Sequence, residues 1–109
     1  MAVAADVITF ETRVHLRWQI GDAVEAALWR NAAELAGGRA VHLYHHEDGS
    51  GYTLTIEASV RDALTNLRYT PHRLADMAFE GTEPQVRRLQ ELYWALWLPR
   101  HSPTGVTLN

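Results

Sequence analysis

VITFETRVHLRWQI, residues 7–20, is the stretch that decides the fold, because its side chains alternate between apolar and polar. One side is apolar except for Thr12, and comprises Ile8, Phe10, Val14, Leu16, Trp18 and Ile20. The other side is polar, and comprises Thr9, Glu11, Arg13, His15, Arg17 and Gln19. A period of two over this length predicts a β-strand with one buried and one wet face. We expect helices from the rest of the chain to cover the buried face.

This strand is long for its domain. At about 3.3 Å per residue, residues 7–20 would span roughly 46 Å. A compact domain of this size has a radius of gyration near 13 Å, which corresponds to a diameter of about 34 Å. Either the strand bends, with Glu11 and Thr12 as the weakest point of the pattern, or one end pairs with a second copy of the chain.

The length and composition of the chain limit the classes of protein to which it can belong. The 109 residues are enough for one domain, residues 1–109, that can bury about two thirds of its unfolded surface. The chain has no cysteine, so it has no disulfide or thiolate chemistry, which favours the cytoplasm. The start, MAVAADVITF, lacks the pattern of a secretion signal, and no apolar run reaches the ~18 residues of a membrane span.

The charged residues exclude further mechanisms. Ten arginines stand against thirteen acidic residues, for a net charge of -3, and lysine is absent. Without lysine the chain has neither Schiff-base chemistry nor a phosphate-loop lysine. A mildly acidic chain also lacks the field that drives non-specific binding to nucleic acid.

A helix is predicted directly after the strand. Gly21 ends the strand, and Asp22 with Glu25 three residues later is the pattern of a capped helix start. The apolar positions at helical spacing predict the core-facing stripe, which comprises Val24, Ala27, Leu28, Ala32 and Leu35. The stripe is widened by Ala23, Ala26, Trp29, Ala33 and Ala36. Gly37 and Gly38 end the helix.

Residues 39–60 predict a β-hairpin with Gly49 and Ser50 at a two-residue turn. Pairing Asp48 with Gly51 makes the numbers of opposed residues sum to 99. The buried face then pairs Val41 with Ala58, Leu43 with Ile56 and His45 with Leu54. The wet face pairs His42 with Glu57, Tyr44 with Thr55 and His46 with Thr53.

The remainder of the chain predicts helices. Ser59 and Thr70 are placed as caps, and Thr82 with Gln85 opens a last helix that Pro99 ends. Residues 106–108 are either a short edge strand or a frayed tail, and we favour the tail. The order β-α-β-β followed by helices predicts an α+β fold, an antiparallel sheet with helices on one face. The fold is ferredoxin-like if the last residues add a fourth strand.

The wet face of the sheet carries the candidate site residues. His42 facing Glu57 is the sharpest acid/base pair, and His15 is a third candidate for proton transfer. The alternative is an ordinary solvated cross-strand pair. Further contact candidates on this face are Arg13, Arg17, Tyr44 and His46. His42 and His46 lie about 13 Å apart along a strand and cannot share a metal ion, so we predict neither a metal nor a cofactor.

The last helix carries an apolar set too wide for one sheet. Tyr93 and Trp97 lie on its core stripe, but Trp94 and Leu98 fall outside it. We therefore expect this helix to contact a second partner as well, whether another helix, another subunit or a ligand, with Trp94 and Trp97 as the candidate contacts.

No motif specifies a reaction. The sequence therefore predicts a small non-enzymatic interaction protein, a homodimer that binds another macromolecule in an inhibitor, immunity or accessory role. The alternative is a small dimeric enzyme or ligand-binding protein with His/Glu proton transfer in a pocket lined by Trp18, Trp29 and Trp97. A third reading, nucleic-acid binding through Arg13 and Arg17, is disfavoured by the net charge.

Overall fold

The chain folds as a small α+β unit, and the computed structural model describes residues 8–101. The strands are β1 Arg13–Ile20, β2 Arg39–His45 and β3 Tyr52–Ser59. The helices are α1 Ala23–Leu35, α2 Val60–Thr65, α3 Pro71–Leu74 and α4 Glu83–His101, and a π-helical segment, Ala75–Phe79, continues α3. Among the described residues no helix has both the length and the apolar character needed to cross a membrane.

The first strand is shorter than its alternating pattern. A turn occupies residues 9–12, where the Thr12 amide donates to the Thr9 carbonyl over 3.2 Å and the Thr12 hydroxyl accepts the Thr9 amide over 2.9 Å. β1 therefore begins at Arg13, and the alternative of a bend is confirmed. Threonine hydroxyls at this point offer the backbone hydrogen bonds that a continued strand would not. Val7, the first residue of the predicted strand, lies outside the described residues.

The three strands form an antiparallel sheet in the order β1-β3-β2. The central strand β3 pairs Leu54 with Trp18 and Ile56 with Leu16 of β1. The fully buried side chains concentrate on this pair of strands, because β3 is flanked on both sides and helices cover its apolar face. The alternation in residues 13–20 therefore predicts the buried face correctly.

The predicted hairpin register is wrong by two or more residues. Leu43 lies opposite Leu54, and His42 lies opposite Thr55 rather than Glu57. The loop spans residues 46–51 and is longer than the predicted two-residue turn. Within it the Asp48 carboxylate accepts a hydrogen bond from the Ser50 amide over 2.9 Å and stabilises the turn. A β-bulge at Val41 moves the register by one more residue. An even shift preserves the faces beyond the bulge, so His42, Tyr44 and His46 remain on the wet face.

Helix α1 begins as predicted but packs with a different face. Asp22 caps it by accepting the Glu25 amide over 2.8 Å. The residues buried against the sheet are the alanines Ala26 and Ala33. These two alanines belong to the predicted margin of the stripe, whereas the large residues predicted at its centre point the other way: Val24 is 72% exposed, and Leu28 and Leu35 are also exposed. At 100° per residue these two sets lie on nearly opposite sides of the helix.

The later helices cover the β1 half of the sheet. Ser59 and Thr70 cap α2 and α3 as predicted, by accepting the amides of Asp62 and Arg73. Leu89 and Leu92 of α4 are buried, which confirms the centre of its predicted core stripe. The helix continues past Pro99 to His101, so the predicted end at the proline is wrong. A proline removes a single amide donor and can be tolerated close to the end of a helix.

The described part of the chain contains three strands. Residues 106–108, proposed above as a tail or a fourth strand, lie outside the described residues.

Candidate functional site

The sheet face opposite the helices, called the open face below, collects most of the predicted site residues. Alternation along β1 places Arg13, His15 and Arg17 there, and β3 adds Glu57. The edge strand β2 adds His42 and Tyr44, with His46 directly after it. Trp94 and Trp97, the other predicted contact residues, lie on α4 and belong to a separate aromatic cluster.

Glu57 is the electrostatic centre of the open face. Its carboxylate accepts a hydrogen bond from Arg39 Nη2 at 2.5 Å, and Arg13 Nη2 lies 3.9 Å away. The hydrogen bond from Arg39 is the main cause that lowers the pKa of Glu57, and the charges of Arg39, Arg13 and His15 act in the same direction. Glu57 is therefore an ionised, cation-bound carboxylate, and its basicity is reduced.

The predicted pairing of His42 with Glu57 is wrong. The neighbours of Glu57 across the strands are Arg39 on β2 and His15 on β1, whereas His42 faces Thr55. Of the three proposed proton-transfer residues, the structure brings His15 and Glu57 together and leaves His42 two residue pairs further along the hairpin. Arg39, which the sequence reasoning missed, takes the place given to His42. Which residue of β2 faces Glu57 depends on the register of the hairpin. The register predicted from a two-residue turn placed His42 there instead of Arg39.

A connected row of rings and hydroxyls runs along the edge of the open face. Tyr44 stacks on His42 with 6.3 Å between ring centroids and meets His46 edge-on at 5.1 Å. His46 Nε2 and Thr53 Oγ1 are hydrogen-bonded at 2.7 Å, and Thr53 Oγ1 donates to Gln19 Oε1 at 3.2 Å. These contacts link all three strands and fix the side chains of this edge. They form a pre-organised polar surface without a cavity.

Metal binding has no support in the geometry of the described residues, where no three histidine, aspartate or glutamate side chains come close enough together to hold an ion.

The exposed large apolar side chains concentrate on α1 and the adjacent strand β2. We call this set, without Tyr44 of the open face, the α1–β2 surface; it comprises Val24, Leu28, Trp29, Leu35, Val41 and Leu43. Helix α1 packs against β2, so the two parts are neighbours. Leu28 is 64% exposed and Leu35 is 90% exposed, although their spacing along the helix predicted a buried stripe. Exposed apolar helix faces of this kind are typical of interaction surfaces.

The sequence reasoning missed this surface because it assigned the largest residues of α1 to the core. One signal could have found it. Residues 23–36 carry apolar side chains on two sides of the helix, with alanines on one side and Val24, Leu28 and Leu35 on the other. A three-stranded sheet can bury only one of these sides.

The remaining aromatic residues join the two halves of the core. Trp18 stacks on Trp29 at 6.2 Å and meets Tyr69 edge-on at 5.2 Å. The Tyr69 hydroxyl donates to the Arg17 carbonyl over 3.1 Å, and burial raises the pKa of Tyr69 to about 12. Trp18 and Trp29 therefore act as core and flank residues rather than as the walls of a pocket with Trp97.

No family model, no curated protein and no solved structure matches this chain. Any proposal about function therefore depends on the fold and on the surfaces described above.

Proposed function

We propose that this protein is a non-enzymatic interaction protein that acts as a homodimer and binds another macromolecule. The observation that carries the proposal is the concentration of exposed large apolar side chains on the α1–β2 surface. Water contact with Val24, Leu28 and Leu35 is unfavourable, at about 25 cal/mol per Å² of apolar area. A second copy can remove this area from water.

A two-fold axis beside α1 makes the surface self-complementary. In an antiparallel pair of α1 helices, Val24 faces the partner's Leu35, and Leu28 lies beside the partner's Asn31. These residues follow the alternating four- and three-residue spacing of a helix-packing seam. The interface is isologous, so each favourable contact occurs twice.

The helix pair alone is too small for a stable dimer. A helix of 13 residues is about 20 Å long, and its face is smaller than the ~800 Å² per partner of a standard interface. Val41 and Leu43 of β2 are exposed and adjoin α1, which enlarges the apolar area. We therefore assign both elements to the dimer interface.

The open face supplies the site for the other macromolecule. Arg13, Arg17 and Arg39 outnumber Glu57 there. The face is locally positive although the chain has a net charge of -3. An acidic protein surface fits this charge pattern. Single-stranded nucleic acid fits less well, because such sites stack successive bases on several rings. Among the described residues, Tyr44 carries the only phenol or indole ring on this face.

Two finer assignments accompany this proposal. The order β1-β3-β2, with α1 connecting the two outer strands, supports a ferredoxin-like arrangement, which a fourth strand from residues 106–108 beside β1 would complete. The absence of cysteine supports a cytoplasmic location.

The dimer is tested by Leu28→Glu. We expect the wild-type chain to sediment at twice its 12.3 kDa mass at micromolar concentration. Leu28→Glu should weaken the dimer by about 100-fold or more, since two buried leucines at 1.5–3 kcal/mol each are replaced by charges. Ala95→Glu, on the exposed side of α4, is the matched control and should remain dimeric. The measurement is analytical ultracentrifugation, and circular dichroism establishes that each variant is folded.

A wild-type chain that stays monomeric at high micromolar concentration would contradict the dimer. So would a folded Leu28→Glu variant that dimerises as tightly as Ala95→Glu.

The open face is tested with poly-L-glutamate as an acidic polypeptide probe and with single-stranded DNA. We expect fluorescence anisotropy at low salt to show binding of the polypeptide, several-fold weaker for Arg13→Glu. Arg87→Glu makes the same charge change on α4 and should bind like wild type. Equal losses of affinity in Arg13→Glu and Arg87→Glu would show an effect of net charge and would reject the open face as the site. Tighter binding of DNA than of the polypeptide would reject an acidic protein as the partner.

A further inference from the structure

A cavity of about 410 Å³ lies between the α2–α3 connection and α4, away from both surfaces described above. Its volume falls within the range of small-molecule sites. The residues used in the argument below are Leu64, Arg68, Thr70, Tyr93, Leu96 and Trp97, all of which line it. The function proposed above does not use this cavity.

The α4 side of the cavity is aromatic and apolar. The rings of Tyr93 and Trp97 are nearly parallel, at 20°, with 6.5 Å between their centroids. Leu64 and Leu96 add aliphatic contact. A flat apolar ring system is the ligand shape that such a wall accommodates by stacking and exclusion of water.

Arg68 supplies the polar group. Its side chain is exposed at the cavity and makes no ion pair with any residue between 8 and 101. An unpaired guanidinium presents a planar fork of donors that matches a carboxylate in bidentate geometry. The Thr70 hydroxyl oxygen accepts the Arg73 amide, so its own proton is left to donate to a ligand.

The backbone of Arg68 adopts a conformation that disfavours any side chain. Arg68 has φ +61°, a conformation that favours glycine. The Tyr69 amide donates to the Ala63 carbonyl over 2.8 Å, which ties the residue after Arg68 back to α2. An arginine at this position strains the backbone and places a guanidinium at the cavity.

We propose that this cavity binds a small flat carboxylate. Its ring system packs on Tyr93 and Trp97, and its carboxylate pairs with the Arg68 guanidinium. One guanidinium neutralises one negative charge, which favours a monocarboxylate over a phosphate ester.

The test uses 1-naphthoate and 1-naphthamide, which share a ring system but differ in charge. Titration followed by ¹⁵N NMR should move the amide signals of residues 64–70 and 93–97. We expect the naphthoate to bind at least about 10-fold more tightly than the amide, as for one charge-assisted contact. Equal affinities, or shifts confined to other regions, would overturn the proposal.

Arg68→Gly separates a ligand role from a folding role. Glycine relieves the strain at φ +61°, so we expect the variant to melt at the same temperature as wild type or a few degrees higher, and to lose the preference for naphthoate. Glu80→Gly is the matched control, because Glu80 has φ +56° and does not line the cavity. It should gain stability and keep the preference. A folded Arg68→Gly variant that still prefers naphthoate would overturn the proposal, as would one that is destabilised.

Discussion

Gly51→Ala is expected to destabilise the fold by about 3 kcal/mol or more, the sum of a strained backbone and an overpacked contact. Gly51 has φ +122°, where L residues are rare. A Cβ there would also approach the Ile20 carbonyl oxygen to well under 3.0 Å, and the neighbouring Cα of Gly21 is close as well. These are backbone atoms at the end of β1, so they cannot move aside as a flexible side chain would.

Gly49→Ala provides the control for this prediction. Gly49 lies in the same loop with φ +80°, but a Cβ there would meet no atom within 4 Å. Its substitution should cost only the backbone strain, about 1 kcal/mol. Urea unfolding of both variants measures the difference. Equal losses in the two variants would mean that the approach of Gly51 to Ile20 does not constrain the loop.

Leu54→Ala is expected to cost about 2–5 kcal/mol, the usual range for truncating a fully buried leucine. Leu54 is 0% exposed on the central strand, between Trp18 of β1 and Leu43 of β2. Neighbours on both sides prevent the sheet from closing over the resulting cavity. For a domain with a total stability of 5–15 kcal/mol, such a loss leaves a marginal fold.

Leu43→Ala is the matched control, because Leu43 faces Leu54 across the hairpin but is 44% exposed. In dilute solution, where the proposed dimer dissociates, it should cost less than about 1.5 kcal/mol, since less apolar area is uncovered. At high concentration it should weaken the proposed dimer, because Leu43 belongs to the α1–β2 surface. Similar losses for the two variants in dilute solution would show that β2 is more deeply packed than its exposure indicates.

The proposed interaction role and the proposed ligand site use separate parts of the molecule. The α1–β2 surface and the open face belong to the sheet and its first helix, whereas the cavity lies between the α2–α3 connection and α4. A carboxylate bound beside Arg68 would therefore leave both interaction surfaces accessible.

Local patterns in the sequence determined the elements and their starts. Alternation in residues 13–20 identified β1 and its buried face, and Asp22, Ser59 and Thr70 marked helix starts that the structure retains. Each of these signals depends on contacts within two to four residues. A hydroxyl or carboxylate that caps a helix reaches an amide three residues away whatever the rest of the chain does.

Tertiary structure alone decided how these elements meet. The partner of Glu57 changed from His42 to Arg39 because the Asp48 turn and the Val41 bulge set the register. Helix α1 turned its alanines to the sheet, because the sheet could bury one apolar side and the smaller side packs closer. These outcomes depend on the competition between segments far apart in sequence for the same buried area, and the spacing of apolar residues within one segment does not contain that information.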